Sequence, residues 1–410
     1  MFKFSEDKKK IFDICINLLA TSVCTVVLNF IVYPYYAKTF NSSDYGNIIT
    51  IIGVVNLLWA VFGNGLNNTR LILNKQYSAE NKAGNYNIII LSASLVGGLI
   101  GILVVQFYSI VTVFSTIIVC ATIICGITRA YFVVYYRLKL DYVSQLKTNV
   151  IVSFGYMGGL LFSKNAESWP IALFAGEFLA LLYTLKKGTL INEPFKLTED
   201  KTIVLRTYGD VIGTSMLGNL LAYFDRFLIN PVLGAAFVAT YSVASFWGKV
   251  ATPFIAPTAS VMLSYLCQKE NRITVKRYIM IFVFSILPLL LFGLLGVWVA
   301  PIITQLLYPT LVKDALPYIG LSSFGNLIQS ATSLILPILM SVCSTQKILF
   351  IQMIYFFCYV ALALIGTILL GLKGFCISLC ISGLLKAVVF FVVGYHELRR
   401  DEEMAEESKS

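Results

Sequence analysis

The sequence predicts an all-α integral membrane protein, with about twelve transmembrane helices arranged as two parallel six-helix bundles around a central cleft. Three observations predict it. Hydrophobic residues make up 58% of the 410 positions and charged residues only 13%, too few charges to cover a soluble protein of this size. Long apolar runs recur from Ile11 to Tyr395, and a spanning helix needs roughly 20 predominantly apolar residues. The longest polar connection, "KGTLINEPFKLTEDKTIVLR" from Lys187 to Arg206, divides those runs six and six. The runs exceed the ~10 residues of a barrel strand and lack its alternation, so the spans are helices.

In order, the first six spans are expected near 11–37, 45–70, 86–108, 110–136, 144–163 and 168–186. The second six are expected near 206–230, 235–266, 278–302, 314–342, 347–371 and 374–396. The first run is expected to be a span and not a cleavable signal, because its apolar region is long and no small-residue cleavage pattern follows. The runs at 144–163 and 206–230 carry many small and polar residues. The connections near Tyr108-Ser109 and Leu372-Lys373 are so short that they must be tight turns.

Basic residues set the topology. With the N-terminus cytoplasmic, 23 of the 31 Lys and Arg residues fall on the cytoplasmic side and 4 in outer loops, namely Lys38, Lys164, Lys313 and Lys373. Both termini are therefore expected in the cytoplasm. The net charge of +10 is this topological signal plus attraction to anionic lipid heads, not a nucleic-acid footprint.

The domain organisation follows: residues 1–190 as an N-terminal six-helix bundle, 191–205 as a cytoplasmic linker, and 206–410 as a C-terminal six-helix bundle with a cytoplasmic tail. "FNSSDYGNI" (Phe40–Ile48) and "LGAAFVATY" (Leu233–Tyr241) are a faint internal repeat, each a short outer turn after the first span of its half. Six is even, so both halves enter the membrane the same way round, a parallel-repeat plan known from transporters. Pro253, Pro257 and Pro337 interrupt spans and permit kinks. The glycines Gly97, Gly98, Gly101, Gly155, Gly158 and Gly159 fit either close helix packing or gating. The nine cysteines show no paired spacing in any outer loop, and no metal or other cofactor is expected. Cys376 and Cys380, four apart without histidine, read as packing. His396 reads as an interfacial residue, with a pH-sensing role left open.

Six charges fall within spans: Arg129, Glu177, Asp225, Arg226, Lys249 and Lys386. Each costs about 3 kcal/mol at mid-helix. Together that is roughly 15–20 kcal/mol, more than the stability of a typical domain, so they must face one another or a watery cavity. Lys249, Lys386 and Glu177 lie near mid-depth, whereas Arg129 and Arg226 lie close enough to an edge to snorkel. Asp225 and Arg226 are adjacent and point about 100° apart, so they need not pair with each other. Four bases against two acids make a cationic interior, which suits an anionic solute. The two acids remain available for charge pairing or for coupling to a proton or sodium ion.

The segment "YFDRFLINPVLGAAFVATYSVASFWGKV", Tyr223–Val250, resembles the signature segment of bacterial polysaccharide flippases. Asp225, Arg226, Leu233-Gly234 and Tyr241-Ser242 fill the family's positions, while Ala239-Thr240 stands where a glycine often precedes the Tyr-Ser pair. "KTFNSSDYGNIITII" is similar to the family's first outer turn, with its aromatic residue and Gly46. The resemblance implies a Wzx-type O-antigen flippase of the multidrug/oligosaccharidyl-lipid/polysaccharide exporter superfamily, a transporter and not an enzyme. It implies movement of an undecaprenyl-diphosphate-linked oligosaccharide, an O-antigen or related lipopolysaccharide repeat unit, to the periplasmic leaflet by alternating access. It further implies association with polysaccharide polymerase machinery. On that reading Lys249 and Arg226 contact the diphosphate or acidic sugars, and Arg129 and Lys386 support the field. Asp225 and Glu177 serve ion coupling or charge pairing.

Readings from other classes are a multidrug exporter of related architecture, a membrane-embedded O-antigen polymerase or ligase, and a passive scaffold whose charges only pair helices. A polymerase or ligase is expected to carry a large outer loop with catalytic Arg or His, and the outer loops here are short. The sequence contains no nucleotide-binding loop, zinc-ligand cluster or catalytic triad.

Overall fold

The computed structural model describes residues 16, 19–79, 85–108, 110–252, 255, 274–343 and 345–407. Among these every regular element is a helix. Helix α1, Leu19–Thr39, contains a π-turn at Leu28–Val32. Helix α2 is built from Ser42–Leu58, a second π-turn at Trp59–Gly63, and Asn64–Ala79. Then follow α3 (Tyr86–Val105), α4 (Val113–Phe132, continued by Val134–Leu138), α5 (Tyr142–Leu160) and α6 (Ile171–Lys187). The second series is α7 (Lys201–Leu233), α8 (Ala235–Ala244 with Phe246–Val250), α9 (Val275–Leu307) and α10 (Val312–Val342). The helical stretch Thr345–Glu407 is broken at Gly371, giving α11 (345–370) and α12 (372–407). These segments fall one for one on the expected spans. The remainder of the eighth span, with Pro253 and Pro257, lies outside the described residues.

Seven helical stretches are long and apolar enough to cross a membrane, the last of them, Gln346–Arg400, holding both α11 and α12. The chain is a multi-pass membrane protein. Helices α5, α6, α7 and the short α8 fall outside that set. Gln145, Lys147 and Asn149 in α5, and Arg206, Asp210, Asn219, Asp225 and Arg226 in α7, keep their hydropathy low. Such helices persist in lipid only with their polar groups turned to protein or water.

Local chemistry sets the ends. Asn41 caps α2 by accepting the Asp44 amide at 2.8 Å. Thr112 and Ser115 form a reciprocal capping box at α4, which turns the chain sharply after α3. At the other short connection Gly371 takes φ +61°, a left-handed conformation that favours glycine. The chain reverses there: Ser378 Oγ on α12 donates to Leu362 O on α11 at 2.8 Å. Pro337 sits inside α10, which runs on to Val342.

The glycines decide how closely helices approach. A Cβ on Gly155 would lie 2.5 Å from the Gly176 backbone, and one on Gly159 2.5 Å from the Ala172 backbone, so α5 and α6 meet backbone to backbone. Gly97 and Gly101 of α3 receive Ile127 and Ile123 of α4. For these positions the packing reading holds; Gly158 faces open space.

The chain divides into two compact units, Met1–Asn230 and Pro231–Ser410. In the first, Tyr36 donates to the Trp169 carbonyl at 2.7 Å and both side chains are fully buried. Helix α7 packs into this unit too: Tyr208 Oη donates to Phe62 O in the α2 π-turn at 2.9 Å. In the second unit a core of Tyr278, Ile335, Ile338, Leu339, Ile348, Phe390 and Leu398 joins α9, α10, α11 and α12.

Candidate functional site: the intramembrane charges

Arg129 and Glu177 meet. Helices α4 and α6 bring the Arg129 Nε to 2.5 Å from Glu177 Oε2, with a second contact from the guanidinium to Oε1 at 3.2 Å. Tyr156 of α5 donates its hydroxyl to the same Oε1 at 2.8 Å. The Glu177 side chain is wholly buried and that of Arg129 is 14% exposed. A bidentate pair with a third donor satisfies both groups, so each offsets the other's insertion cost. Beside it, Asn149 of α5 donates to Ala20 O at 2.7 Å and Cys24 donates to Asn149 O at 3.2 Å, which ties α1 to α5.

Asp225 and Arg226 belong to a second polar cluster in the first unit. The Arg226 guanidinium donates to the Ile49 carbonyl on α2 at 3.0 Å. It also lies 6.0 Å from the Tyr33 ring centroid and 5.7 Å from that of Tyr223, within the range of a cation–π contact. Gly53 makes room for it: a Cβ there would stand 3.2 Å from Arg226 Cδ. One turn on, Asn230 donates to Thr50 Oγ1 at 2.8 Å. Asp225 is buried and accepts the Arg226 backbone amide at 2.9 Å.

The second unit holds the two lysines. Lys249 Nζ lies 5.2 Å from the Tyr241 ring centroid, and Asn326 of α10 donates to the Tyr241 hydroxyl at 3.2 Å. Lys386 Nζ lies 4.8 Å from the Tyr355 ring and 5.5 Å from the Phe390 ring. The Tyr355 hydroxyl donates to Gln329 Oε1 at 2.6 Å, and Gln329 Nε2 donates to Ser382 Oγ at 3.4 Å. Asn326 and Gln329 are three apart on α10 and so share a face. Between residues 231 and 396 the only carboxylates are Glu270 and Asp314. Asp314 is exposed in the first turn of α10, and Glu270 lies outside the described residues. Among the described residues no carboxylate pairs with Lys386.

The structure thus brings Arg129 and Glu177 together, sets Asp225 and Arg226 in one cluster, and places Lys249 and Lys386 in the other unit. Sequence reasoning missed the neutral partners: Tyr156, Tyr33 and the Ile49 carbonyl, and the amides Asn326 and Gln329. Tyrosine and amide residues occur throughout the spans, so only tertiary contact singles these out. It also missed the latch on the linker, where Arg70 grips Glu193 with two contacts of 2.7 and 2.5 Å. Asn87 donates to Leu190 O and Glu193 O at 3.1 and 2.9 Å.

Solved structures share this fold. The lipid II flippase MurJ in an inward closed conformation matches with a TM-score of 0.67 and 15% identity, over 96% of this chain and 87% of that one. An outward-facing multidrug resistance MATE family transporter of the MOP superfamily matches with a TM-score of 0.64 and 14% identity, over 96% of each chain. The Vibrio cholerae MATE transporter VcmN in its bent form gives 0.62 and 13%, over 98% and 99%. No protein-family model matches the chain, and no curated protein matches it in sequence. The chain is therefore an all-α, multi-pass membrane protein with the fold of the MATE transporters and of MurJ.

Proposed function

We propose that the chain is a flippase that moves an undecaprenyl-diphosphate-linked oligosaccharide, an O-antigen or related repeat unit, from the cytoplasmic to the periplasmic leaflet of the bacterial inner membrane by alternating access. The observation that carries this reading is the charge balance within the spans: four bases against two acids, with Lys386 seated among aromatic rings and amides. A cationic interior favours an anionic head group, and a polar head group with a polyprenyl tail requires shelter for the first and lipid for the second. The shared fold of a lipid II flippase supports the same class of cargo. Glu177 pairs with Arg129, which therefore braces its helices, whereas Lys386 has no carboxylate partner among the described residues and is the better ligand for the substrate. A proton or sodium counter-ion and polysaccharide polymerase partners belong to this reading as well.

The likeness to multidrug MATE transporters favours a second reading, export of small drugs. Cells lacking the protein separate the two. Accumulation of undecaprenyl-diphosphate-linked units on the cytoplasmic face, relieved by the wild-type gene, is the expected result. Unpolymerised units on the outer face point instead to a polymerase. No accumulation on either face, with increased drug sensitivity, points to an exporter.

A further inference from the structure

Lys386 lies ten residues from one end of its expected span and twelve from the other, about 15 and 18 Å at the helical rise. That is farther than a lysine side chain reaches by snorkelling. Its ammonium is turned inward, over Tyr355 and Phe390. The second unit offers it no carboxylate partner among the described residues, whereas Arg129 has Glu177. The groups around it are also oriented. Gln329 is held at both ends of its amide, accepting from Tyr355 and donating to Ser382, and Ser382 donates onward to Leu379 O at 3.0 Å. The Tyr355 and Ser382 hydroxyl protons are given to Gln329 and Leu379 O, so the donors left for an oxyanion are the Lys386 ammonium and the second N–H of the Gln329 amide, set beside two aromatic rings on three helices (α10, α11 and α12).

We infer that Lys386, with Tyr355, Phe390, Gln329 and Ser382, forms an oxyanion subsite in the second unit that takes a phosphate or carboxylate of the head group. This deepens the flippase reading and rests on it. Lys386 becomes a primary ligand and not a source of background field, and Gln329 is a positioning residue acting through Tyr355 and Ser382. The oxyanion has two sources in such a substrate, the lipid diphosphate or an acidic sugar.

The test is binding to the full-length protein in nanodiscs of neutral lipid, read by native mass spectrometry. The probes are undecaprenyl diphosphate and, separately, a lipid-free oligosaccharide containing glucuronic acid. Lys386→Gln is expected to weaken at least one probe about tenfold or more, the loss of a charge-assisted hydrogen bond. Lys386→Arg is expected to retain binding, and Gln329→Ala to weaken the same probe less. Loss of the diphosphate lipid assigns the phosphate, and loss of the saccharide assigns the carboxylate. Wild-type binding that Lys386→Gln leaves intact overturns the subsite while the flippase reading stands. Failure of the wild type to bind either probe overturns that reading and the subsite with it. If Lys386→Gln does not fold, the Lys386→Arg and Gln329→Ala pair decides: unchanged affinity in Gln329→Ala overturns the oriented-amide set.

Discussion

At the scale of single residues the buried charges obey an asymmetric rule: removing one member of a pair is worse than removing both. Glu177→Gln leaves the Arg129 guanidinium in a dry site with a neutral amide and the Tyr156 hydroxyl. The expected loss is about 3–5 kcal/mol, the cost of an uncompensated buried charge. Thermal unfolding in detergent reads it. The double variant Arg129→Met with Glu177→Leu is expected to recover most of that loss, because two charges leave the interior together. A double variant as unstable as the single one sinks the pairing account. Asp141, the cap of α5, lies outside the spans. The Ser144 hydroxyl and amide donate to its carboxylate at 2.5 and 3.0 Å, and Lys187 stands 3.8 Å away. Those hydrogen bonds, the Ser144 hydroxyl first, hold its pKa below the ordinary 3.8. A depressed folded-state pKa stabilises fully above the unfolded value, and the contribution disappears as pH falls through the folded one. Asp141→Ala is thus expected to lower stability by about 1 kcal/mol at neutral pH. The difference from wild type should shrink below the ordinary carboxylate value and vanish only below the depressed folded one; a difference that persists there contradicts the electrostatic part.

At the scale of elements, two contacts control how the helices are joined. Helices α5 and α6 touch through Gly155 and Gly176. Gly155→Leu must push the backbones apart and is expected to cost several kcal/mol, on the order of an overpacked core; detergent stability or expression level measures it. Gly158→Leu, which points into open space, is the matched control and should be nearly silent. Between α6 and α7 the chain does not hang free. Arg70 holds Glu193 with both partners under a fifth exposed. Asn85 at φ +64° exchanges hydrogen bonds with Thr198, accepting its amide at 2.7 Å and donating to its hydroxyl at 2.6 Å. Glu193→Ala is expected to release this segment, seen as faster proteolytic cleavage within 188–200 while the helices stay protected. Unchanged cleavage would mean that the asparagines alone hold it. At the turn between α7 and α8, Gly234 has φ +99° and nothing crowding a Cβ. With ψ 164° this is an extended positive-φ conformation adopted almost only by glycine, so Gly234→Ala is expected to cost the backbone strain alone, about 1–3 kcal/mol of detergent stability.

At the scale of the whole molecule the basic residues and the intramembrane charges make separate predictions. The positive-inside bias predicts both ends in the cytoplasm. A fluorescent protein fused after Ser410 is expected to fluoresce, and alkaline phosphatase at the same place to be inactive; the reverse result overturns the topology. The proposed division of labour predicts unequal losses of transport. Glutamine at Lys386 is expected to abolish flipping while leaving thermal stability near wild type. Removing Arg129 with Glu177 is expected to cost far less transport. If Lys386 is dispensable and the Arg129–Glu177 pair is not, the assignment of ligand and brace is inverted.

Much of the architecture was legible along the chain because a bilayer imposes length and hydropathy on each span separately. Among the described residues each of the twelve expected runs holds a helix, and the reversal at Gly371 follows from the shortness of its polar break. The linker expected at 191–205 was read from polarity, and α7 begins within it, at Lys201. The boundary between compact units, at Asn230 and Pro231, records packing instead, and packing has no signature in local composition. The π-turns at Leu28–Val32 and Trp59–Gly63 were equally invisible, since their cause lies in what the neighbouring helices demand.

The sequence by itself determined the class, an all-helical membrane protein, and located six charges within its expected spans. It did so because charge in hydrocarbon is expensive wherever it occurs, and that cost is readable one residue at a time. Only the tertiary structure decided which charges are compensated. Glu177 lies 48 residues from Arg129 and Ile49 lies 177 from Arg226, so compensation depends on which helices touch. Lys386 found rings and amides in place of an acid, and that difference is a property of the fold.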